Sequence, residues 1–339
     1  MTNPEKVLIT AGREVGGLMA FAEGLSEGFT ALSIPSEVIS PKEIFKRWRD
    51  LRDPNILKIL STIAVFAVPV ARRAICVAHG FPRADAQGWT RMLAVLGSFR
   101  LANAYSGAQL VAVSDYVAIH LQTIFNLRIN AVIRNPLRSI FLERPDVSDQ
   151  NRCYVTYAGR LTPVKNLHSI LPAICDLLDE TPGLRLCIIG DGEQRAALER
   201  YVNGNLRVEF KGKQDPHSVR EWLRRTKVFV SGNPTEGLGI TYLEALSQGC
   251  VVAMPACGGG IEIDLGELGK SVHLLPLSLD RGEVTAVLGR AMDSTSTGVS
   301  LLAYEAKAVA KAYLRVDSGF YPIDKCARYK MHQAKDEIA

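Results

Sequence analysis

The chain has 339 residues, 47% of them hydrophobic and 22% charged, with 40 Lys plus Arg against 35 Asp plus Glu. That balance excludes a disordered chain, a collagen and a small disulfide scaffold, and at roughly 100 to 200 residues per domain the length predicts two domains, each with a core of its own. The longest uncharged apolar run, Ile59 to Ala71, contains Pro69 and falls short of the roughly 17 residues that a membrane-spanning helix requires.

Met1 to Ile9 shows no basic segment followed by an apolar stretch and a small-residue cleavage site, so a cytosolic protein is expected. The 7 cysteines form no C-x-x-C pair and read as reduced, mostly buried thiols, neither staples nor zinc ligands.

In chain order, short β-branched or apolar runs alternate with amphipathic stretches of helical length, the pattern of parallel α/β sheets. In the front half the predicted strands are Lys6–Thr10, Glu37–Ile39, Ala74–Ala78, Gln109–Val113 and Asn130–Ile133. The first is followed by Ala11-Gly-Arg-Glu-Val-Gly16-Gly17, which lacks the G-x-G-x-x-G spacing of a dinucleotide site. Two adjacent glycines ahead of a helix would instead let a ligand approach the backbone.

Lys42 to Arg52 interleaves Lys42, Lys46, Arg47, Arg49 and Arg52 with Ile44, Phe45, Trp48 and Leu51. Two readings are open for it: an amphipathic helix lying in an anionic bilayer interface, assisted by Ile59–Ala71, or a core-facing helix with a solvated basic face. Residues 42–138 carry 14 Lys or Arg and 5 Asp or Glu, an excess of 14 − 5 = 9 positive charges. Such an excess suits an anionic partner such as lipid headgroups, a pyrophosphate-bearing acceptor or nucleic acid, or else a solvated basic surface. His79 follows a strand end, where its side chain would point into a cleft between domains, and reads either as an acid–base or acceptor-binding group or as a structural histidine.

Pro136 to Arg152 has the composition of a linker, which places the expected boundary near residue 145. The expected organisation is a front domain over 1–145, a back domain over 146–318 and a helical tail over 319–339 that packs on one or both. The back half restarts the alternation, with predicted strands at Tyr154–Tyr157, Arg185–Ile189, Arg207–Phe210, Val228–Val230, Cys250–Ala253 and Ser271–Leu275.

The loops between these strands carry the chemistry. Arg160 and Lys165 stand at the first strand-to-helix turn and, if they converge, form a clamp for a diphosphate. In Gly190-Asp191-Gly192 the aspartate reads as the N-cap of the next helix. In Asn233-Pro-Thr-Glu236-Gly237-Leu238-Gly239-Ile-Thr-Tyr-Leu-Glu244 two glutamates stand eight apart, one in a loop and one about a turn into a helix. Both can face the crevice at the carboxyl end of the sheet, where open α/β sheets bind ligands. Gly237 and Gly239 allow close backbone approach, and the helix start offers free N–H groups to a phosphate. The alternative makes Glu236 a capping residue and Glu244 a solvated one. A third glycine loop, Gly258-Gly259-Gly260 with Glu262, is expected at the same sheet edge.

These motifs resemble the retaining glycosyltransferases of family 4, with the resemblance running through most of residues 151–290 and resting more thinly on Gly16-Gly17, His79, Ser114 and Asn135-Pro136 in the front half. The resemblance implies an α/β fold of GT-B type: two facing Rossmann-like domains with parallel sheets, an acceptor-binding front domain, a donor-binding back domain and a cleft between them. It implies that Arg160 and Lys165 hold the donor diphosphate, that Glu244 binds the ribose hydroxyls, and that Glu236, Gly237, Leu238 and Gly239 meet the transferred sugar and β-phosphate. Gly16 and Gly17 would close over the diphosphate, and His79 would sit near the reacting sugar or acceptor. Catalytic roles thus fall to Glu236, His79, Arg160 and Lys165.

No D-x-D triplet is found, consistent with a metal-independent transferase that uses no cofactor beyond its UDP- or GDP-linked sugar. Two departures from the family pattern stand out: Leu238 replaces the aromatic often found after Glu-Gly, and the front domain is short.

The expected activity is transfer of a sugar, with retention, to a lipid-linked or glycan acceptor in cell-surface polysaccharide or glycolipid synthesis. The expected place is peripheral, on the inner face of the plasma membrane, through Lys42, Phe45, Lys46, Arg47, Trp48 and Arg49, with no nucleic-acid partner. The alternatives are a nucleotide-sugar epimerase or hydrolase of the same architecture, or a catalytically silent nucleotide-binding subunit.

Overall fold

The computed structural model describes residues 3–11, 16–83, 88–143, 152–264, 271–296 and 301–319. The chain divides into two compact units. The first holds residues up to Thr10, Ile34–Arg134 and the chain from Ala310 onward; the second holds Ala11–Ser33 and Asn135–Val309.

In the first unit, β1 (Lys6–Thr10), β2 (Ser36–Ile39), β3 (Ile56–Ser61), β4 (Ala74–Ala78), β5 (Ala108–Ala112) and β6 (Ala131–Val132) form one sheet in the order β2-β1-β3-β4-β5-β6. Every pair is parallel. The strand β3 was not among those predicted. Its sequence, Ile-Leu-Lys-Ile-Leu-Ser, is buried at every position because the strand lies in mid-sheet. Such strands lose the alternation that marks a half-exposed strand. The apolar run Ile59–Ala71 begins with the end of β3 and continues through a 3-10 turn over Thr62–Ala67. Inside β3, Lys58 is fully buried and donates to the Asp53 and Arg72 carbonyls, and burial pulls its ammonium down to about 8.

In the second unit, β7 (Tyr154–Ala158), β8 (Arg185–Ile189), β9 (Val208–Gly212), β10 (Thr226–Val230), β11 (Val251–Pro255) and β12 (Val272–Leu275) give the order β12-β11-β10-β7-β8-β9, again all parallel. Strand order reverses between β7 and β10, the topological switch point at which such sheets open a crevice at their carboxyl ends. One face is covered by α5 (Leu167–Glu180) and α10 (Arg281–Asp293), whose Ile170, Ile174, Leu178, Val284 and Leu288 share a core with Val155, Ile188, Val228 and Val251.

The linear domain division is modified in three places. The expected boundary at 145 lies outside the described residues, whereas the units change at Arg134 and Asn135. The segment after Asn135 is tied to the second unit: Leu137 N donates to Tyr304 O at 2.7 Å and Gln248 Nε2 to Phe141 O at 2.8 Å. The helix α1 (Gly17–Thr30) also groups with the second unit, since its Glu27 accepts from Ser139 N at 2.7 Å. Finally, Asp317 of α11 (Ala306–Asp317) is gripped by Arg73, with Nε to Oδ1 at 3.0 Å and Nη2 to Oδ2 at 2.7 Å, which returns the chain to the first unit. Of the expected tail at 319–339, only Gly319 is described.

Candidate functional site

The switch point of the second sheet gathers most of the residues singled out in the sequence. Lys165 ends a 3-10 turn over Pro163–Lys165, after β7, and Glu236 lies in the loop after β10. Lys165 Nζ donates to Glu236 Oε2 at 2.5 Å, and Asn233 Nδ2 donates to the same oxygen at 2.7 Å. Burial works to raise the Glu236 carboxyl, but the Lys165 charge, these two hydrogen bonds and the charge of Arg160 outweigh it and hold it below the ordinary value. Glu236 is thus an anion with a dedicated cation, not a helix cap. Arg160 is exposed, and among the described residues its side chain makes no hydrogen bond.

The loops that carry these groups interlock backbone to backbone. Gly259 N donates to Glu236 O at 2.8 Å, and a Cβ at Gly259 would stand 1.8 Å from Gly237 O. Gly239 caps α8 (Ile240–Ser247) with φ +78°, and a Cβ there would lie 2.5 Å from the Tyr242 ring. No side chain caps this helix start, whose first-turn N–H groups lie just after Gly237, Leu238 and Gly239, all buried. The sequence reading of Asp191 is corrected here: the N-cap position of α6 (Arg195–Val202) is Gln194, without a side-chain capping bond, and the Asp191 carboxylate accepts from Gly192 N at 2.8 Å.

Glu244, within α8, is 3% exposed and is not a solvated position. Its Oε1 accepts from Arg138 Nη2 at 2.7 Å, while Arg138 Nη1 donates to Glu23 Oε2 of α1 at 3.1 Å. Burial raises the Glu244 carboxyl; Arg138 opposes this and Glu23 adds to it, leaving the group above its ordinary value. Arg138 was not singled out in the sequence, and nothing local pairs it with a residue 106 positions away.

At the N-terminus of α1, Gly16 and Gly17 are exposed, and a Cβ at either would meet nothing within 4 Å. Two cavities, of about 360 Å³ beside Trp222 and about 210 Å³ beside Tyr201, include none of these residues.

The first unit places His79 just past β4, where its Nε2 stands 3.1 Å from Ser61 Oγ at the end of β3, and desolvation pulls its imidazole down to about 4, so it is neutral near pH 7. The segment Lys42–Arg52 is not one amphipathic helix. It is a 3-10 turn over Glu43–Lys46 and the short α2 (Trp48–Arg52), broken at Arg47 (φ −93°, ψ 46°). Ile44 and Leu51 are buried, whereas Lys42, Phe45, Lys46, Trp48 and Arg49 are exposed. Arg47 is engaged by Glu37 and Asp50, and the Arg52 guanidinium lies 4.2 Å from the Trp48 ring centre. The 3-10 turn Thr62–Ala67 packs against this segment and adds exposed Ile63 and Phe66.

The described cysteines are all free: Cys76, Cys187 and Cys250 are buried, while Cys153 is exposed. No described helix is long and apolar enough to cross a membrane.

Residues 152–276 match the family described as glycosyl transferases group 1. The lipopolysaccharide core biosynthesis glycosyltransferase LpsE of Rhizobium meliloti is 32% identical over 124 residues, covering 32% of this chain and 34% of that protein. A GDP-mannose-dependent phosphatidylinositol dimannoside mannosyltransferase of Mycobacterium tuberculosis is 29% identical over 154 residues, 45% of this chain and 40% of that protein. The chain thus spans little more than a third of the length of these curated relatives.

Likeness of fold extends further. The glycosyltransferase WaaG, involved in lipopolysaccharide biosynthesis, superposes with a TM-score of 0.67 at 12% identity over 92% of this chain and 98% of WaaG. HepE of Anabaena, solved with UDP and glucose, gives 0.66 at 16% identity over 94% and 98%. With two six-stranded parallel sheets and these neighbours, the chain has the GT-B fold, and its residues 152–276 match the group 1 glycosyl transferases.

Proposed function

We propose that the protein is a retaining, metal-independent glycosyltransferase that moves a sugar from a nucleotide diphosphate to a lipid-linked or glycan acceptor. The observation that carries this reading is the Lys165–Glu236 ion pair with Arg160 beside it, at the switch point of the second sheet and ahead of the uncapped start of α8. Lys165 spends one of its three protons on Glu236, which leaves two donors for a diphosphate, and the Arg160 fork is unengaged. These charges and the α8 N–H groups stabilise the negative charge that builds on the departing diphosphate.

In the reaction the acceptor oxygen forms a bond to the anomeric carbon on the face that the phosphate leaves. The carbon–oxygen bond to the β-phosphate breaks, and the acceptor proton passes to the leaving phosphate oxygen. Glu236, already ionised, orients the sugar hydroxyls and has no proton to give; Gly237, Leu238 and Gly239 line the sugar and β-phosphate. Glu244 receives the ribose, and Gly16 and Gly17 admit the diphosphate at the start of α1. His79, neutral, is assigned to the acceptor hydroxyl.

For the acceptor side, Lys42, Lys46 and Arg49 with Phe45, Trp48, Ile63 and Phe66 form an exposed basic and apolar surface suited to anionic headgroups at a cytoplasmic membrane face. Arg47 contributes less, because Glu37 and Asp50 already neutralise it. Replacing Lys42, Lys46 and Arg49 together with Ser should cut sedimentation with anionic liposomes about tenfold or more, at up to about 1 kcal/mol per charge. Unchanged sedimentation removes this surface from the reading.

The central test is calorimetry of the wild type and of Glu244→Ala with UDP, GDP and ADP, followed by NMR of the matching nucleotide sugars. Binding of one nucleotide class that the variant loses is the expected result. No binding to any of them overturns the reading, and consumption of donor without acceptor would turn it into a hydrolase.

A further inference from the structure

Glu244 is a carboxylate buried almost completely, yet only half of it is satisfied. Its Oε1 takes the Arg138 hydrogen bond at 2.7 Å, whereas its Oε2 has no hydrogen-bond partner among the described residues. Arg138 is itself fixed. Its side chain is 11% exposed, its other terminal nitrogen is bound to Glu23 at 3.1 Å, and its guanidinium lies 5.2 Å from the Phe141 ring centre. The stretch around it is anchored on both sides, by Leu137 N to Tyr304 O at 2.7 Å before it and by Ser139 N to Glu27 at 2.7 Å after it.

An unpaired buried carboxylate would protonate or turn away, and a flexible partner would let it rotate. A rigid guanidinium held from α1 opposes both. We infer that Arg138 is a positioning residue for the nucleotide site: it locks Glu244 by one oxygen so that the other is presented, as a charged acceptor, to the ribose hydroxyls of the donor. The inference rests on the donor-site reading above and adds to it a residue outside the group 1 match, which begins at residue 152.

The arrangement also has a protonation signature. The charged groups that face Glu244 are Arg138 and, from α1, Glu23. With Arg138 removed, burial and Glu23 act on Glu244 unopposed, so its proton is retained to higher pH and the charged acceptor is lost over a wider acidic range.

The experiment compares wild type, Arg138→Met, Arg138→Lys and Glu244→Ala in binding UDP, GDP and ADP and their 2′,3′-dideoxy counterparts, from about pH 5 to about pH 8. In the wild type the ribonucleotide should bind roughly tenfold to a hundredfold more tightly than the dideoxy form, the span expected for hydrogen bonds to a charged group. In Arg138→Met that preference should collapse toward 1, with dideoxy affinity unchanged, and what remains of it should fade at higher pH than in the wild type. Arg138→Lys, which keeps the charge but not the fork, should restore part of the preference and much of the pH profile.

An undiminished preference in Arg138→Met with an unmoved profile overturns the inference. Should Arg138→Met fail to fold, Arg138→Lys decides: wild-type preference and profile, with a lowered melting temperature, mark Arg138 as merely structural. If the wild type binds no nucleotide, or Glu244→Ala keeps the ribose preference, it is the donor-site reading that has failed.

Discussion

The carboxyl ends of the two sheets are built on similar topologies and carry opposite chemistry. In the second unit, the loops after β7, β10 and β11 interlock through glycine backbones and hold charge: Lys165 on Glu236, Arg160 beside them, and Arg138 on Glu244. In the first unit, the ends of β1, β3 and β4 hold neutral groups. Thr10 Oγ1 accepts from Ser61 N at 2.7 Å, and Ser61 Oγ meets a His79 that burial keeps uncharged. The contrast teaches that a parallel sheet fixes where a site can form, while the side chains at its strand ends decide whether that edge is charged or neutral.

The largest expected effect tests the charged edge. Lys165→Ala leaves the partly buried Glu236 anion without its cation and removes a diphosphate donor, so nucleoside diphosphate affinity should fall about a hundredfold or more. Nucleoside monophosphate affinity should fall far less, and calorimetry with both reads the difference. Equal losses would mean that Lys165 does not reach the distal phosphate.

Gly259→Ala comes next. A Cβ 1.8 Å from Gly237 O forces two loops apart, and a loss of about 1 to 3 kcal/mol in urea unfolding is expected. Unaltered stability would show that the interlock relaxes freely.

The neutral edge is tested by pH. His79 titrates near 4 in the folded protein and near its ordinary value when unfolded, so between these pH values the unfolded chain binds the extra proton. Its contribution is fully present above about pH 6.5 and is lost as pH falls toward 4, amounting to at most about 3 kcal/mol. His79→Gln should flatten the fall in stability across that window, as read from denaturation at several pH values. A slope equal to that of the wild type would show that the imidazole is not held neutral.

The smallest effect separates binding from packing. Gly17→Ala meets open space at the start of α1 and should change stability by less than about 0.5 kcal/mol. If Gly17 admits the diphosphate, donor affinity still drops.

Lys6–Thr10, Ala74–Ala78 and Arg185–Ile189 are strands with the predicted bounds, because strand periodicity and flanking turn residues are contained within a few positions. The glycine loops were likewise found at strand ends, and the spacing from Glu236 to Glu244 placed one in a loop and one in a helix. The missed elements share a physical cause. In β3, burial on both faces erased the alternation, and in Lys42–Arg52 a regular spacing of apolar residues concealed the break at Arg47, where the backbone leaves the helical region.

The sequence by itself determined the class of fold, the order of every strand but β3 along the chain, and the inventory of charges and glycines at the strand ends, since each depends on neighbours within a turn or a strand. Only the tertiary structure decided which of those groups meet. Lys165 finds Glu236 71 positions away and Arg138 finds Glu244 106 positions away, and α1 and the residues after Asn135 join the second unit across the expected boundary. Pairings of that range follow from how sheets and helices pack, and no local period in a sequence encodes them.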